Sequence, residues 1–140
     1  MTDSRPSWDR IWSDFAVLIS QRSYDPRLKV GAIIVTSDNT QVLSVGYNGN
    51  HSGGPNIVDS INPGESGFIH AEVNALVKMD FGHHKPRKMY LTDSPCLACA
   101  KLILNAGIAE VRYINEYRDT AGLDLLRSFN VWCFKVDKES

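Results

Sequence analysis

The second half of the chain alternates between short strand-like runs and helical stripes, and this alternation constrains the fold more than any other feature. Strands are predicted over residues 88–92, 109–114 and 131–136, and helices over residues 96–105 and 120–128. Strands separated by single helices are typical of parallel β-α-β units, in which helices cover the faces of the sheet.

The first half adds a hairpin and two more helices to this pattern. Residues 29–36 and 41–47 are β-branched runs separated by a polar turn, which predicts a hairpin. A helix is predicted over residues 71–79, and an apolar stripe predicts another over Trp8–Ser20 with Ser7 as its N-cap. We expect the residues of that stripe to be core; they are Trp8, Ile11, Trp12, Phe15, Ala16, Leu18 and Ile19. The sequence therefore predicts an α/β fold with a mixed five-stranded sheet and helices on both faces.

Length and composition limit the possible function classes. A chain of 140 residues, 43% hydrophobic and 22% charged, predicts a single folded domain spanning residues 1–140. Its net charge of -1 without charged blocks argues against electrostatic capture of nucleic acid or an anionic membrane. Three cysteines, and an N-terminus without an apolar run, favour a reducing, cytoplasmic location.

A glycine-rich stretch interrupts the elements after the hairpin. Residues 48–67 carry five glycines and two prolines without a helical or strand period. Loops of about twenty residues in a compact domain are usually functional or disordered.

Four residues stand apart as candidates for chemistry. His70 and Glu72 lie in Ile-His-Ala-Glu-Val, and Cys96 and Cys99 lie in Ser-Pro-Cys-Leu-Ala-Cys. One imidazole and two thiolates would give a zinc ion three ligands and leave its fourth position open, which is typical of catalytic zinc. Glu72 would then carry protons. Since positions 70 and 72 face opposite ways on an ideal helix, His70 must lie at the frayed first turn.

Other interpretations of these residues remain open at this point. The Cys96–Cys99 pair alone also fits a redox site or a structural zinc site, and Cys133 could complete a closed site. A lone cysteine within a strand is more often a small core residue, as we expect for Cys133. Glu72 taken alone would be read as a solvated first-turn residue. We expect three further histidines to lie on the surface: His51, His83 and His84.

Together these motifs resemble the zinc-dependent cytidine deaminase superfamily, and are most similar to its deoxycytidylate (dCMP) deaminases. The resemblance rests on His-Ala-Glu and Pro-Cys-x-x-Cys, with Lys29-Val-Gly-Ala, Gly46-Tyr-Asn-Gly and Ala106-Gly-Ile, and covers about residues 20–136. It implies a three-layer α/β/α fold, one Zn²⁺ per chain held by His70, Cys96 and Cys99, and hydrolysis of dCMP to dUMP and ammonia. Zinc-activated water would attack C4 of cytosine, with Glu72 as the proton shuttle.

The resemblance also implies how the nucleotide is bound. The backbone N–H of Ala71 would bind the pyrimidine O2, and Asn48 would hold the sugar hydroxyl. Lys29, Ser94 and Tyr117 are the remaining candidate substrate-binding residues, with Lys29 and Tyr117 nearest the phosphate.

Regulation and assembly are further expectations from the family. Its members are commonly hexamers that dCTP activates and dTTP inhibits, so a homo-oligomer and a nucleotide effector, with Mg²⁺ bound to it, are expected. This chain departs from many relatives because Asn-His-Ser-Gly-Gly replaces an arginine-containing loop after Asn48, and an insertion used for a second zinc is missing. Two alternatives remain: deamination of free cytosine, guanine or adenosine in transfer RNA, and a zinc-stabilised binding module without catalysis.

Overall fold

A five-stranded sheet organises the computed structural model, which describes residues 4–57, 67–82 and 85–137. Its helices and strands, in chain order, are α1 (Trp8–Ser20), β1 (Gly31–Thr36), β2 (Val42–Tyr47), α2 (Ala71–Lys78), β3 (Arg87–Asp93), α3 (Leu97–Asn105), β4 (Glu110–Asn115), α4 (Ala121–Ser128) and β5 (Trp132–Lys135).

The order of strands in the sheet is β2-β1-β3-β4-β5. β1 runs antiparallel to both β2 and β3, and the β3–β4 and β4–β5 pairs are parallel. The predicted hairpin and the two predicted β-α-β units therefore share one mixed sheet, as the sequence indicated. The parallel pairs bring the ends of β3 and β4 together at one edge, where Asp93 is paired with Asn115.

Helices cover both faces of the sheet unequally, which gives the expected three layers. α1 packs on one face, where Trp12 and Ala16 join Ile33, Val35 and Tyr90 in a buried cluster. The other face carries α2, α3 and α4, whose buried side chains include Ala75, Ile103 and Leu126. Alternate residues of β1 point to the two faces, since Ile34 belongs to the second cluster.

The predicted core stripe of α1 is wrong in part. Trp8 is 53% exposed and Leu18 is 70% exposed, and Ile11 is exposed as well. The buried residues of the helix are Trp12, Ser13, Ala16 and Ser20. A Cβ atom at Gly31 would lie 2.0 Å from the carbonyl oxygen of Ala16, so the helix backbone approaches β1 too closely for large side chains at the contact.

The observed elements differ from the predicted ones by one or two residues at their ends. Lys29 lies before β1, because the N–H of Val30 is bonded to the Asn48 side chain, 2.9 Å away, instead of entering the sheet. Cys96 is the N-cap of α3 and lies outside the helix proper. Met79 caps α2.

Parts of the predicted loops lie outside the described residues. The glycine-rich loop is described up to residue 57 and again from residue 67, and His83 and His84 are not described. In the described ranges, none of the helices combines the length and apolarity needed to span a bilayer.

Candidate active site

Two helix starts bring the predicted metal ligands together. His70 is the N-cap of α2 and Cys96 is the N-cap of α3, both with extended backbone, and Cys99 lies in the first turn of α3. The extended conformation at His70 (φ -67°, ψ 152°) frees residues 70 and 72 from the angular spacing of a regular helix. This confirms the prediction that His70 lies at the edge of the helix.

The geometry of the three donor atoms fits a zinc ion. His70 Nδ1 lies 3.2 Å from Cys99 Sγ and 3.6 Å from Cys96 Sγ, and all three donors lie within 4.8 Å of one another. A tetrahedral ion with bonds of about 2.1 Å to nitrogen and about 2.3 Å to sulfur separates such donors by about 3.6 Å. The donor set, one imidazole and two thiols, is a common zinc set.

The surroundings of Cys96 favour its thiolate. The Cys99 thiol and the His70 ring bond to its sulfur, and together with the backbone N–H of Cys99, 3.4 Å from Sγ, they lower the pKa of Cys96 to about 4. The pKa of Cys99 is raised, because its thiol bonds to Cys96 and is buried. The bond to Cys96 raises the pKa of His70. A bound dication would bring both sulfurs to the thiolate form.

Glu72 is a buried carboxyl group next to this cluster. Only 4% of the residue is exposed. Burial raises its pKa to about 7, although the positive His70 opposes that shift. A carboxyl group with a pKa near neutrality can take up and release protons at physiological pH. The interpretation of Glu72 as a solvated surface residue is therefore wrong.

A cleft of about 360 Å³ opens on the cluster and collects most of the predicted site residues. Those that line it are His70, Ala71, Glu72, Cys96, Asn48, Ser94 and Tyr117. Lys29 is exposed and is not part of the lining, whereas Arg27, two residues earlier, is. The cleft therefore presents a different cation from the one expected.

Sequence reasoning also missed two acidic residues of the cleft. Asp25 lies in the segment between α1 and β1, and Asp93 ends β3 with 7% exposure. Burial raises the pKa of Asp93, opposed by hydrogen bonds from Thr92 and Asn115. The available signal was weak: Asp25 begins an Asp-Pro turn, and Asp93 directly precedes Ser-Pro-Cys.

Cys133 lies apart from the cluster. It is 8% exposed, belongs to the core beside α4, and its thiol bonds to the carbonyl oxygen of Val131. Among the described residues, the group that could hold a metal contains His70, Cys96 and Cys99 without Cys133. A closed four-ligand site through Cys133 is therefore not supported. His51 is exposed, as expected, and lines a neighbouring cavity.

Comparison with known proteins gives the family. Residues 6–115 match the sequence profile described as "Cytidine and deoxycytidylate deaminase zinc-binding region". A deoxycytidylate deaminase of Mycobacterium phage D29 is 35% identical over 128 residues, which cover 81% of this chain and 98% of the relative. The Homo sapiens deoxycytidylate deaminase is 35% identical over 130 residues, covering 84% of this chain and 71% of the relative.

Solved structures agree with the sequence relatives. The crystal structure of dCMP deaminase from cyanophage S-TIM5 in complex with dCMP and dUMP is 38% identical, with a TM-score of 0.81, and the match covers 96% of this chain and 100% of that one. From its sequence, its sheet and the donors grouped at its two helix starts, the chain belongs to the cytidine and deoxycytidylate deaminase zinc-binding family.

Proposed function

We propose that the protein hydrolyses dCMP to dUMP and ammonia. The observation that carries the proposal is the buried carboxyl group of Glu72 beside an imidazole and two thiols, at the wall of a cleft. The S-TIM5 relative was crystallised with dCMP and dUMP, which are the substrate and product of this reaction.

His70, Cys96 and Cys99 would hold Zn²⁺, which fits their donor atoms. When bound, the ion polarises a water molecule for attack on C4. Glu72 would take a proton from the water and deliver it to N3 while the bond from C4 to oxygen forms. It would then carry the proton of the new C4 hydroxyl group to the amine, and the bond from C4 to the amine nitrogen would break as the C4 carbonyl group forms. The products are the uracil ring and ammonia.

Binding of the rest of the nucleotide falls to the cleft walls. The N–H of Ala71 is assigned to the pyrimidine O2, and Asn48 to the sugar hydroxyl. For the phosphate we assign Arg27, because it lines the cleft and Lys29 does not, together with Ser94 and Tyr117, which also line it. A guanidinium can bind a phosphate with two hydrogen bonds, which suits this assignment.

Replacing Glu72 by glutamine tests the chemical step. Glu72→Gln keeps the size of the side chain and removes its ability to carry a proton, so kcat should fall by about 10²-fold or more while zinc content stays at that of the unaltered protein. Ammonia release and metal analysis measure the two quantities. Undiminished turnover in Glu72→Gln would remove Glu72 from the chemical step, whereas zinc binding without turnover in the unaltered protein would favour a structural zinc module.

A second experiment tests the substrate. dCMP should be preferred over deoxycytidine by about tenfold or more in kcat/KM, since a charged hydrogen bond to phosphate is lost with the nucleoside. Arg27→Met should remove most of this preference, and Lys29→Met serves as the matched control. Equal kcat/KM for the two substrates would contradict a phosphate site. Faster release of ammonia from cytosine, guanine or a transfer RNA would favour deamination of those compounds instead of dCMP.

We also propose assembly and effector binding, as in the family. Exposed aromatic residues on β5 and just before it (Phe129, Trp132 and Phe134) support contact with further copies, up to a hexamer.

A cavity of about 400 Å³, lined in part by Tyr24, His51 and Lys78, suits a dCTP or dTTP effector with Mg²⁺. It adjoins the cleft, since Asn48 and Phe68 line both. Light scattering, and turnover with each triphosphate with and without Mg²⁺, test these two proposals.

A further inference from the structure

The side chain of Asn48 is held on three sides by the segment between α1 and β1. Its Nδ2 donates to the carbonyl oxygen of Leu28 at 2.9 Å and to Asp25 Oδ2 at 3.3 Å. Its Oδ1 accepts from the N–H of Val30 at 2.9 Å. Only 7% of Asn48 is exposed, so its side chain is buried beneath the cleft that it helps to line.

Among the described residues, these hydrogen bonds leave the Asn48 side chain able to accept one more and to donate none. A side-chain amide has two N–H donors and one oxygen with two lone pairs. Within the described ranges both donors are used and one lone pair is used. A ligand in the cleft can therefore reach this amide only by donating a hydrogen bond to Oδ1.

Asp25 is the residue that links Asn48 to the rest of the segment. Its Oδ1 accepts the N–H of Arg27 at 2.8 Å and of Leu28 at 3.4 Å, while its Oδ2 accepts from Asn48. The Ser23 hydroxyl completes the arrangement, because it donates to the Asn48 carbonyl oxygen at 2.9 Å and accepts the Asp25 N–H at 3.2 Å.

Every one of these side-chain contacts of Asp25 requires an acceptor. A carboxylate offers two accepting oxygens, whereas an amide in its place would turn an NH₂ group towards at least one N–H donor. Asn48 would then lose one of the hydrogen bonds that its side-chain amide can form in only one of its two orientations. Rotation by 180° about its last bond would exchange the two ends.

We propose that Asp25 is a positioning residue that fixes the Asn48 amide with its oxygen free for substrate, so that the cleft selects a ligand with a hydroxyl donor at that point. This inference rests on the proposed function, because dCMP offers a single sugar hydroxyl, on C3′. The same carboxylate orders the backbone at Arg27, so it joins the sugar end of the cleft to the phosphate end.

The test compares dCMP with 2′,3′-dideoxycytidine 5′-monophosphate, which lacks that hydroxyl. Loss of the hydroxyl should cost the unaltered holoenzyme about tenfold in kcat/KM, mostly through KM. In Asp25→Asn the ratio should fall to about twofold or less. The matched control is Asp80→Asn: Asp80 Oδ1 accepts the N–H two residues on, at Gly82, also at 2.8 Å, but Asp80 does not line the cleft. The control should keep the tenfold ratio.

A merely structural role for Asp25 would lower activity on both substrates equally and leave the ratio unchanged, which overturns the inference. No discrimination in the unaltered enzyme overturns it as well. Amide-proton exchange of the Asn48 side chain, measured by NMR on the unaltered protein, decides the point even if Asp25→Asn does not fold. Slow exchange of the Nδ2 protons supports the proposed fixing of the Asn48 amide, and rapid exchange overturns it. Because this result does not depend on whether dCMP is deaminated, failure of the proposed function is recognised separately.

Discussion

At the scale of single residues, Glu72 combines a functional position with an energetic cost. It is a buried acid at the start of α2, and burial favours its protonated form. When such a buried group is charged and has no compensating partner, the free energy of unfolding of the protein falls.

The metal-free protein should therefore lose stability as the pH rises from about 4.5 towards 7. The pKa of Glu72 is raised from 4.5 to about 7 in the folded state, so the folded protein binds the proton more tightly than the unfolded chain does in that interval. Glu72→Gln should remove on the order of 1–3 kcal/mol of this pH dependence. Urea unfolding of both metal-free proteins at several pH values measures the difference, and parallel pH profiles would contradict it.

The two kinds of cysteine should behave differently when replaced. Cys99→Ala removes a metal ligand, so zinc should fall well below one per chain and the melting temperature should drop. Cys133→Ala is the control, because Cys133 is also buried but lies in the core, apart from the metal cluster. It should keep the full zinc content and lose only about 1 kcal/mol from the small cavity. Metal analysis and thermal unfolding separate the outcomes; full zinc in Cys99→Ala would remove Cys99 from the ligand set.

At the scale of elements, the site depends on how closely α2 approaches β2. A Cβ atom at Gly46 would lie 2.5 Å from the Ala71 carbonyl oxygen and 2.5 Å from the Ala75 nitrogen, both of which are backbone atoms. The start of α2, with His70 and Glu72, is therefore set by the absence of a side chain on the neighbouring strand.

Gly46→Ala should destabilise the protein by about 1–3 kcal/mol and lower its zinc affinity, because the helix must move away from the sheet. Gly49→Ala provides the control, since a Cβ atom there would meet only the Tyr47 ring at 3.8 Å. That variant should stay within about 0.5 kcal/mol of the unaltered protein. Denaturant midpoints and zinc titration test the pair; equal effects would argue against helix displacement.

At the scale of the whole molecule, Arg112 of β4 links α1 to the face of the sheet opposite α2 and α3. Its guanidinium lies 2.8 Å from Asp9 and 2.9 Å from Glu110, and 4.7 Å above the Phe134 ring. Asp9 also accepts a hydrogen bond from the Tyr90 hydroxyl. This network lies on the face opposite α2 and α3, so it holds the layers together without touching the cleft.

Arg112→Met should accordingly cost about 1 kcal/mol of stability and leave kcat/KM unchanged, since the ion pairs are about a quarter exposed and partly screened. Arg10→Met is the control, because its pair with Asp14 is more than half exposed. It should have no measurable effect on the free energy of unfolding. A large loss of activity in Arg112→Met would mean that the outer face communicates with the site.

The sequence alone determined the element order, the mixed sheet and the metal cluster, because these depend on local patterns: hydrophobic period, turn residues and ligand spacing at helix starts. His70, Glu72, Cys96 and Cys99 could be named because their chemistry is rare and the spacing within each of the two motifs is short. The roles of Lys29, Ser94 and Tyr117 remain predictions.

Only the tertiary structure decided which residues share the cleft. Arg27 lines the cleft and Lys29 does not, and Asp25 meets Asn48 across 23 positions of sequence. The exposed face of α1 likewise follows from the close approach of Ala16 to Gly31. Such contacts form only when separate segments of the chain pack together. The residue pattern within one segment does not determine its distance from another segment.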